Sequence, residues 1–151
     1  RMANSTFSGP IRAGTQRDGV ASAGVSNVGN VVLSQSYDTG DLTGAVIGNV
    51  DTRFGTLPAG SQIVDIRVDQ VVASATGTTT VSVGNATGGA QLMAAIASTA
   101  GGVFRGTATA ATQLAWQTST TADTALFVRS ATGGGTLTAG RFVVTVLYVQ
   151  K

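Results

Sequence analysis

The chain of 151 residues carries nine basic and seven acidic side chains, a formal net charge of +2, and contains no cysteine, histidine or glutamate. These absences exclude disulfides, thiolate chemistry and a histidine base. The length fits one domain with a substantial core. The cations are scattered along the sequence without a basic run or interleaved aromatic residues, so nothing indicates nucleic-acid binding.

The composition favours strands over helices. Only 11% of the residues are charged, and glycine occurs 21 times beside many threonines, serines and valines. Threonine and valine suit strands, and glycine suits tight turns. So little charge leaves an isolated soluble monomer poorly solvated. We therefore expect much of the surface to contact other protein, the alternative being an all-β domain with a Thr/Ser surface. No apolar run approaches a membrane span, and no secretory leader is recognisable.

Residues 1–30 are predicted to form an extended N-terminal arm before a single β-sandwich domain at 31–151. Glycine, serine, alanine and asparagine interrupt every apolar run in this segment, so it cannot pack a core of its own. It also has too little charge for a plain solvated tail, although a flexible terminus is the alternative. The side chains expected to contact a partner surface are Phe7, Pro10, Ile11, Arg12 and Arg17.

Two strands are predicted next. The first begins at Val31–Leu33 and ends near Ser36, and a loop rich in aspartate and glycine follows over 37–44. The second covers 45–50, with a bulge at Gly48, and continues to Leu57 with Phe54 pointing inward.

The clearest pattern in the chain lies between Leu57 and Gly84. Pro58-Ala59-Gly60 is turn chemistry, and a period-2 alternation follows it. Three apolar side chains point one way and three charged ones the other: Val64, Ile66 and Val68 against Asp65, Arg67 and Asp69. The alternation resumes at Val81 and Val83. This stretch predicts two antiparallel strands paired with each other.

The middle of the chain is less regular. A turn is predicted at 84–89, and 91–97 fits either a helix or an extended segment. We favour the extended form because the run is short for a stable helix. A short strand is predicted at 103–105. Leu114 and Trp116 alternate with polar neighbours, which predicts a half-buried strand over 113–117.

The last third predicts two further strands. Leu126 and Val128 share one face of the first, and the LTAG at 137–140 echoes the LPAG at 57–60, as two similar halves would. In the final strand, 141–150, one face carries Phe142, Val144, Val146 and Tyr148, and the other is apolar too. Such a strand is either central or covered by a partner chain, so these four residues are candidates for an oligomer interface. Short strands between glycine-rich turns predict an all-β sandwich or barrel.

No catalytic or ligand-binding set emerges from the polar residues. Asp65 and Asp69 lie roughly 13 Å apart along one strand, too far to share a metal ion. No glycine-rich turn is followed by Lys-Ser/Thr, and no nucleophile elbow is present. Trp116 and Tyr148 fit a core or an interface better than a ligand platform. We therefore expect no enzyme activity, no metal and no cofactor.

Four segments carry a family resemblance: MANSTFSGPIR (2–12), LPAGSQIVDIRVDQVV (57–72), TTTVSVGNATGG (78–89) and LTAGRFVVTVLYVQ (137–150). Together they resemble the head decoration, or cement, proteins of tailed bacteriophages. The resemblance implies a β-sandwich of jelly-roll type, often a homotrimer, bound outside the capsid where capsomers meet. It implies no catalytic residues.

The resemblance also implies the partners. They are the major capsid protein and further copies of this chain. No nucleic acid, membrane or small-molecule substrate is expected as a partner. The protein would be made in the host cytoplasm and reside on the outer surface of the virion. Two alternatives remain open: a head-fibre or tail-associated module that adheres to the host, and a carbohydrate-binding β-sandwich unrelated to phage.

Overall fold

Two four-stranded antiparallel sheets face each other across an apolar core. The computed structural model describes residues 31–45, 48–74, 79–97, 101–105, 110–117, 121–132 and 136–150. Within them lie eight strands and one helix: β1 Val32–Asp38, β2 Val50–Leu57, β3 Ser61–Val72, β4 Thr79–Gly84, β5 Met93–Ala97, β6 Gly102–Arg105, α1 Ala110–Gln117, β7 Thr124–Thr132 and β8 Arg141–Gln150. The all-β sandwich expected from the sequence is confirmed.

The chain crosses between the sheets at most connections. One sheet has the strand order β1-β8-β3-β6 and the other β2-β7-β4-β5. The predicted pairing within residues 57–84 is therefore wrong, because β3 pairs with β8 and β6, whereas β4 pairs with β7 and β5. Alternation reveals that a strand has one buried face, but not which strand lies beside it. Strands β3 and β4 belong to different sheets, and their buried side chains pack against each other in the core.

Strand β8 lies at the centre of its sheet and supplies much of the core. It pairs with β1 along one side and with β3 along the other. Its inward side chains pack with those of β3, β4 and β7 in one cluster of buried residues. The cluster comprises Leu57, Ile63, Ile66, Val68, Val81, Val83, Leu92, Met93, Leu126, Val128, Phe142, Val144, Val146 and Tyr148. Each such side chain stabilises the fold by roughly 1.5–3 kcal/mol.

A β-bulge changes the alternation in β3. The register with β8 shifts between Ile63 and Asp65, so Val64 has no opposite residue. Ile63 and Ile66 both point into the core, and Val64 is 51% exposed. The prediction that Val64 faces inward with Ile66 and Val68 is wrong, because the extra residue of a bulge reverses the side on which the following side chains lie.

Two turns follow the chemistry that the sequence predicted. The Ser61 N–H donates to the Pro58 carbonyl over 3.1 Å, and Gly60 has a φ of 80°, as the third position of a type II turn requires. The turn at 84–89 places Gly88 at a φ of 74° and links β4 to β5 as a hairpin. The extended form favoured for 91–97 is confirmed by β5.

The strand predicted for 113–117 is wrong, because these residues belong to α1. Thr112 and Trp116, spaced as i and i+4, are the more buried side chains, whereas Leu114 is exposed. The Trp116 Nε1–H donates to the Leu92 carbonyl over 2.6 Å, and the ring packs on the core. Alanine-rich sequence favours a helix, and an alternation of five residues is too short to outweigh that preference.

The strand predicted for 45–50 begins later than expected. Strand β2 starts at Val50, and Ala45 belongs to a turn in which its N–H donates to the Leu42 carbonyl over 3.0 Å. Phe54 packs on the core as predicted. Val46 and Ile47 lie outside the described residues.

At one side of the sandwich, a side chain joins the edge strands β1 and β2, which belong to different sheets. The Thr56 N–H of β2 donates to Gln35 Oε1 of β1 over 2.9 Å, and Gln35 Nε2 donates to the Thr56 carbonyl over 2.6 Å. The Gln35 amide thus bonds to β2 as a backbone peptide group would. Gly55 leaves room for it, since a Cβ at Gly55 would overlap with Gln35 Oε1.

The bulge in β3 predicts opposite outcomes for one substitution made at two positions of that strand. Val68→Thr puts a hydroxyl at a site with no exposure and should lower the free energy of unfolding by about 1–3 kcal/mol. Val64→Thr, on the exposed side, should change it by less than about 0.5 kcal/mol. Urea denaturation of both variants measures the difference. Equal losses would contradict the bulge.

Candidate functional site

The side chains predicted to form the contact arm cannot be placed. Phe7, Pro10, Ile11, Arg12 and Arg17 all lie outside the described residues, which begin at position 31. Their role stays a prediction.

The four residues predicted for an oligomer interface lie in the core of this chain. Phe142, Val144, Val146 and Tyr148 are between 0% and 7% exposed and contact the second sheet. This assignment is corrected, because side chains buried within their own chain are not free to bind a partner. Strand β8 is apolar on both faces because it is central. The side chains of β8 that point away from the core include Val143, Thr145 and Leu147.

The outward side of the β1-β8-β3-β6 sheet, here called the outer face, combines apolar and charged side chains. The strand registers place Ser36, Thr145, Arg67 and Arg105 in one row across the sheet. The row beside it contains Asp38, Val143, Asp69 and Val103. The charges of the face balance, with three arginines and three aspartates: Arg67, Arg105, Arg141, Asp38, Asp65 and Asp69.

Neighbouring strands pair several of these charges. Arg141 on β8 holds Asp38 on β1 through two hydrogen bonds, of 2.6 Å and 3.1 Å. The Gly40 N–H adds a bond of 2.9 Å to the same carboxylate. The hydrogen bond from Arg141 and then that from Gly40 lower the pKa of Asp38 to about 2, and the Asp38 carboxylate raises the pKa of Arg141. Arg105 pairs with Asp65 at 3.4 Å.

Apolar side chains lie between the charged ones on the outer face, where four of the six charges are paired within the chain. Val64 and Val103 are exposed there, and Leu147 is half-buried between the charged residues. Because four of the six charges already have partners, a protein that covers this face needs few new ion pairs. The outer face is therefore suited to another protein surface.

The second sheet has a different outer surface. The loop after β4 folds over it, so that Ser82 and Gly84 are buried, and Gly88 lies against the guanidinium of Arg129. Arg129 approaches Asp51 at 4.0 Å on the same surface. Part of this sheet is thus covered by its own chain, which leaves the outer face as the more open of the two.

The described residues offer little for small-molecule chemistry. A cleft of about 220 Å³ opens at one end of the sandwich and has mostly apolar walls, which include Tyr37, Leu42 and Phe142. Among the residues with described positions, no three acidic, histidine or cysteine side chains gather as metal ligands. No helix in the described ranges is long and apolar enough to cross a bilayer. Trp116 and Tyr148 both pack with the core.

Solved structures similar to this chain come from phage capsids. A chain from the capsid of Ralstonia phage GP4 matches with a TM-score of 0.62 and 26% sequence identity, covering 80% of this chain and 85% of that one. A chain from the acidic stable capsid structure of Helicobacter pylori bacteriophage KHP30 matches with a TM-score of 0.55 and 16% identity, covering 79% and 87%. At that identity the second likeness concerns the fold alone.

No protein-family model matches the chain, and no curated protein matches it. The likeness to the GP4 chain supports a phage capsid-related protein with a structural role in the virion.

The Asp38–Arg141 pair predicts a loss of stability in acid. The pKa of Asp38 is about 2 in the folded chain and about 3.9 in an unfolded one. The pair therefore stabilises the fold above pH ~4, and this contribution disappears as the pH falls from about 4 to about 2. Arg141→Gln should raise the Asp38 pKa toward its unfolded value, as carboxyl NMR would show. Arg53→Gln, whose guanidinium bonds to Thr56, is the control. An unchanged Asp38 pKa in Arg141→Gln would contradict the pairing.

Proposed function

We propose that this chain is a head decoration, or cement, protein that binds the outside of a tailed-phage capsid and stabilises it across capsomer boundaries. The observation that carries the proposal is the likeness to a chain from the GP4 capsid over 80% of this sequence. Its partners are the major capsid protein and further copies of itself, and its role needs no catalysis.

The strand order supports a jelly-roll assignment. Eight strands form the sheets β1-β8-β3-β6 and β2-β7-β4-β5, so the first strand lies beside the last and the second beside the seventh. Double-sheet jelly rolls of eight strands are common in viral capsid domains. The fold alone does not separate a decoration protein from another capsid component, so the surfaces must carry that distinction.

The outer face supports contact between copies in a homotrimer. Its exposed valines provide apolar area, and its balanced charges add no net repulsion against the different surface of the next copy that it meets in a ring of three. Buried apolar area contributes about 25 cal/mol per Å², and a standard interface buries about 1,600 Å² in total. Many modest interfaces, repeated over a capsid, then resist the pressure of packaged DNA together.

The N-terminal arm, residues 1–30, provides attachment in this proposal. Ordering each residue costs about 1–2 kcal/mol of backbone entropy. A surface that receives Phe7 and Ile11 and pairs Arg12 and Arg17 would offset this cost. Pro10 lowers the cost by restricting the unbound chain.

Deleting residues 2–30 should weaken capsid binding sharply while the β-domain remains folded. Within the full chain, Phe7→Ala combined with Ile11→Ala should weaken binding, because both side chains are proposed anchors. Val20→Ala combined with Val28→Ala is the matched control, which removes apolar side chains from the same arm. Co-sedimentation with undecorated capsids measures binding. Equally tight binding by the truncated chain would show that the arm is passive.

The proposed trimer contact gives a second test. Val103→Asp places a charge on the outer face at a side chain that is 52% exposed, and it should shift the protein from trimer to monomer. Leu114→Asp, at a side chain 65% exposed on α1, should leave the trimer unchanged. Light scattering at micromolar concentration gives the mass of each variant. A wild-type protein that is monomeric under these conditions would contradict a trimer in solution.

A further inference from the structure

The four edges of the two sheets are unequally protected against pairing with another chain. Exposed edges are normally blunted by shortness, bulges, prolines or charges. Strand β6 has four residues and ends in Arg105, and β5 has five residues with a register shift against β4. Strand β2 carries Asp51, Arg53 and a bulge. Each of these three edges therefore has a device that discourages pairing.

Strand β1 has none of these devices. Its seven residues, VLSQSYD, pair with β8 without a register shift and include no proline, lysine or arginine. Its one charge, Asp38, lies at its end and is held by Arg141. Val32 and Leu33 are 51% and 39% exposed. Among the described strands, β1 thus presents the edge best suited to receive a further strand.

The hydrogen bonds identify the backbone groups on that edge. The Thr39 N–H donates to the Phe142 carbonyl over 3.1 Å. By the alternation of an antiparallel ladder, the backbone N–H and C=O groups of the odd-numbered residues of β1 therefore point toward β8. The N–H and C=O groups of Ser34 and Ser36 therefore point away from β8. Strand β2, the near strand of the other sheet, is joined through the side chain of Gln35 and not through this backbone edge.

We propose that residues 1–30 of this chain add as a strand to the open edge of β1. The inference rests on the proposed arm and specifies where on the fold the arm binds. Strand addition satisfies the edge amides of Ser34 and Ser36 with backbone carbonyls and covers Val32 and Leu33 with apolar side chains.

The position of the segment in the chain supports this occupant. It leads directly into β1, since the first described residue is Val31 and β1 begins at Val32. Thirty residues span up to roughly 100 Å when extended. This length reaches the whole edge of β1 in the same copy and in a neighbouring one.

Charge supports the same occupant. Residues 1–30 contain Arg1, Arg12, Arg17 and Asp18, a net charge of +2, whereas residues 31–151 contain six basic and six acidic side chains, a net charge of zero. The segment therefore carries the whole net charge of the chain. The far end of the β1 edge carries Asp38, which is paired with Arg141, and the exposed Asp41, so its net charge is −1. Within the described residues, Asp41 accepts its hydrogen bonds from Thr43.

Amide hydrogen exchange in the wild-type protein, without capsid, tests the pairing directly. The Ser34 and Ser36 amides should exchange at least roughly tenfold more slowly than unprotected amides, because they donate to the added strand. Exchange at the unprotected rate at both positions would overturn the proposal. Since no capsid is present, that result would leave the decoration function standing.

Cross-linking identifies the occupant, and the absence of native cysteine makes it specific. Ser36→Cys is combined with a single cysteine in the segment, at Ser5, Ser8 or Ser22 in separate variants. At least one combination should form a disulfide, within one chain or between two copies, and either result supports the proposal. Ala95→Cys on β5, with the same partner cysteines, is the matched control. Yields no higher at Ser36 than at Ala95 would overturn it.

A proline substitution tests whether the disulfide depends on the backbone hydrogen bonds of the β1 edge. Ser34→Pro removes an N–H that faces away from β8 and should lower the disulfide yield at least roughly tenfold, because an edge proline blocks the added strand. Ser34→Ala keeps the amide and should preserve the yield. Thermal melting of Ser34→Pro checks that the sandwich is intact. Equal yields from the two folded variants would overturn the proposal.

Discussion

The inward face of β8 is the contact on which the rest of the sandwich depends. Phe142, Val144 and Val146 are almost completely buried and touch the second sheet, while the backbone of the same strand pairs with β1 and β3 on both sides. Strand β8 thereby aligns the two strands beside it and fixes the distance to the other sheet. Because the core is filled from within one chain, the described strands have only their outward side chains and open edges left for contacts with other chains.

The surfaces left by this core differ in kind. The outer face pairs two of its three arginines with aspartates on neighbouring strands and exposes valines between them, whereas the loop after β4 covers part of the opposite sheet. At the side of the sandwich, Gln35 joins the two sheets through its amide and leaves the backbone edge of β1 open. The described part of the chain therefore combines a charge-balanced outer face with a regular, uninterrupted strand edge.

Sequence alternation predicted the strands whose buried faces are regular, because a period of two follows directly from strand geometry. It identified the buried sides of β7 and β8 through Leu126 and Phe142, and both LPAG and LTAG contribute a buried leucine, Leu57 and Leu137, ahead of β3 and β8. It could not reveal the bulge at Val64, which depends on the register with β8, nor the partner of β3. Alternation also predicted a strand where α1 lies, because the five residues 113–117 fit the period of a strand as well as that of a helix. The four interface candidates on β8 were recognised as one face but assigned to the wrong surroundings, since apolarity on both faces suits a central strand as well as a covered one.

The proposed role in the virion is tested most directly by an electron cryomicroscopy reconstruction of intact particles that contain this protein. A decoration protein should give density for the two-sheet sandwich on the outside of the head, seated where capsomers meet. The N-terminal segment should be ordered along the sandwich or the underlying shell. Density for the sandwich inside the shell or only on the tail would contradict a decoration protein, as would intact heads that contain none of it.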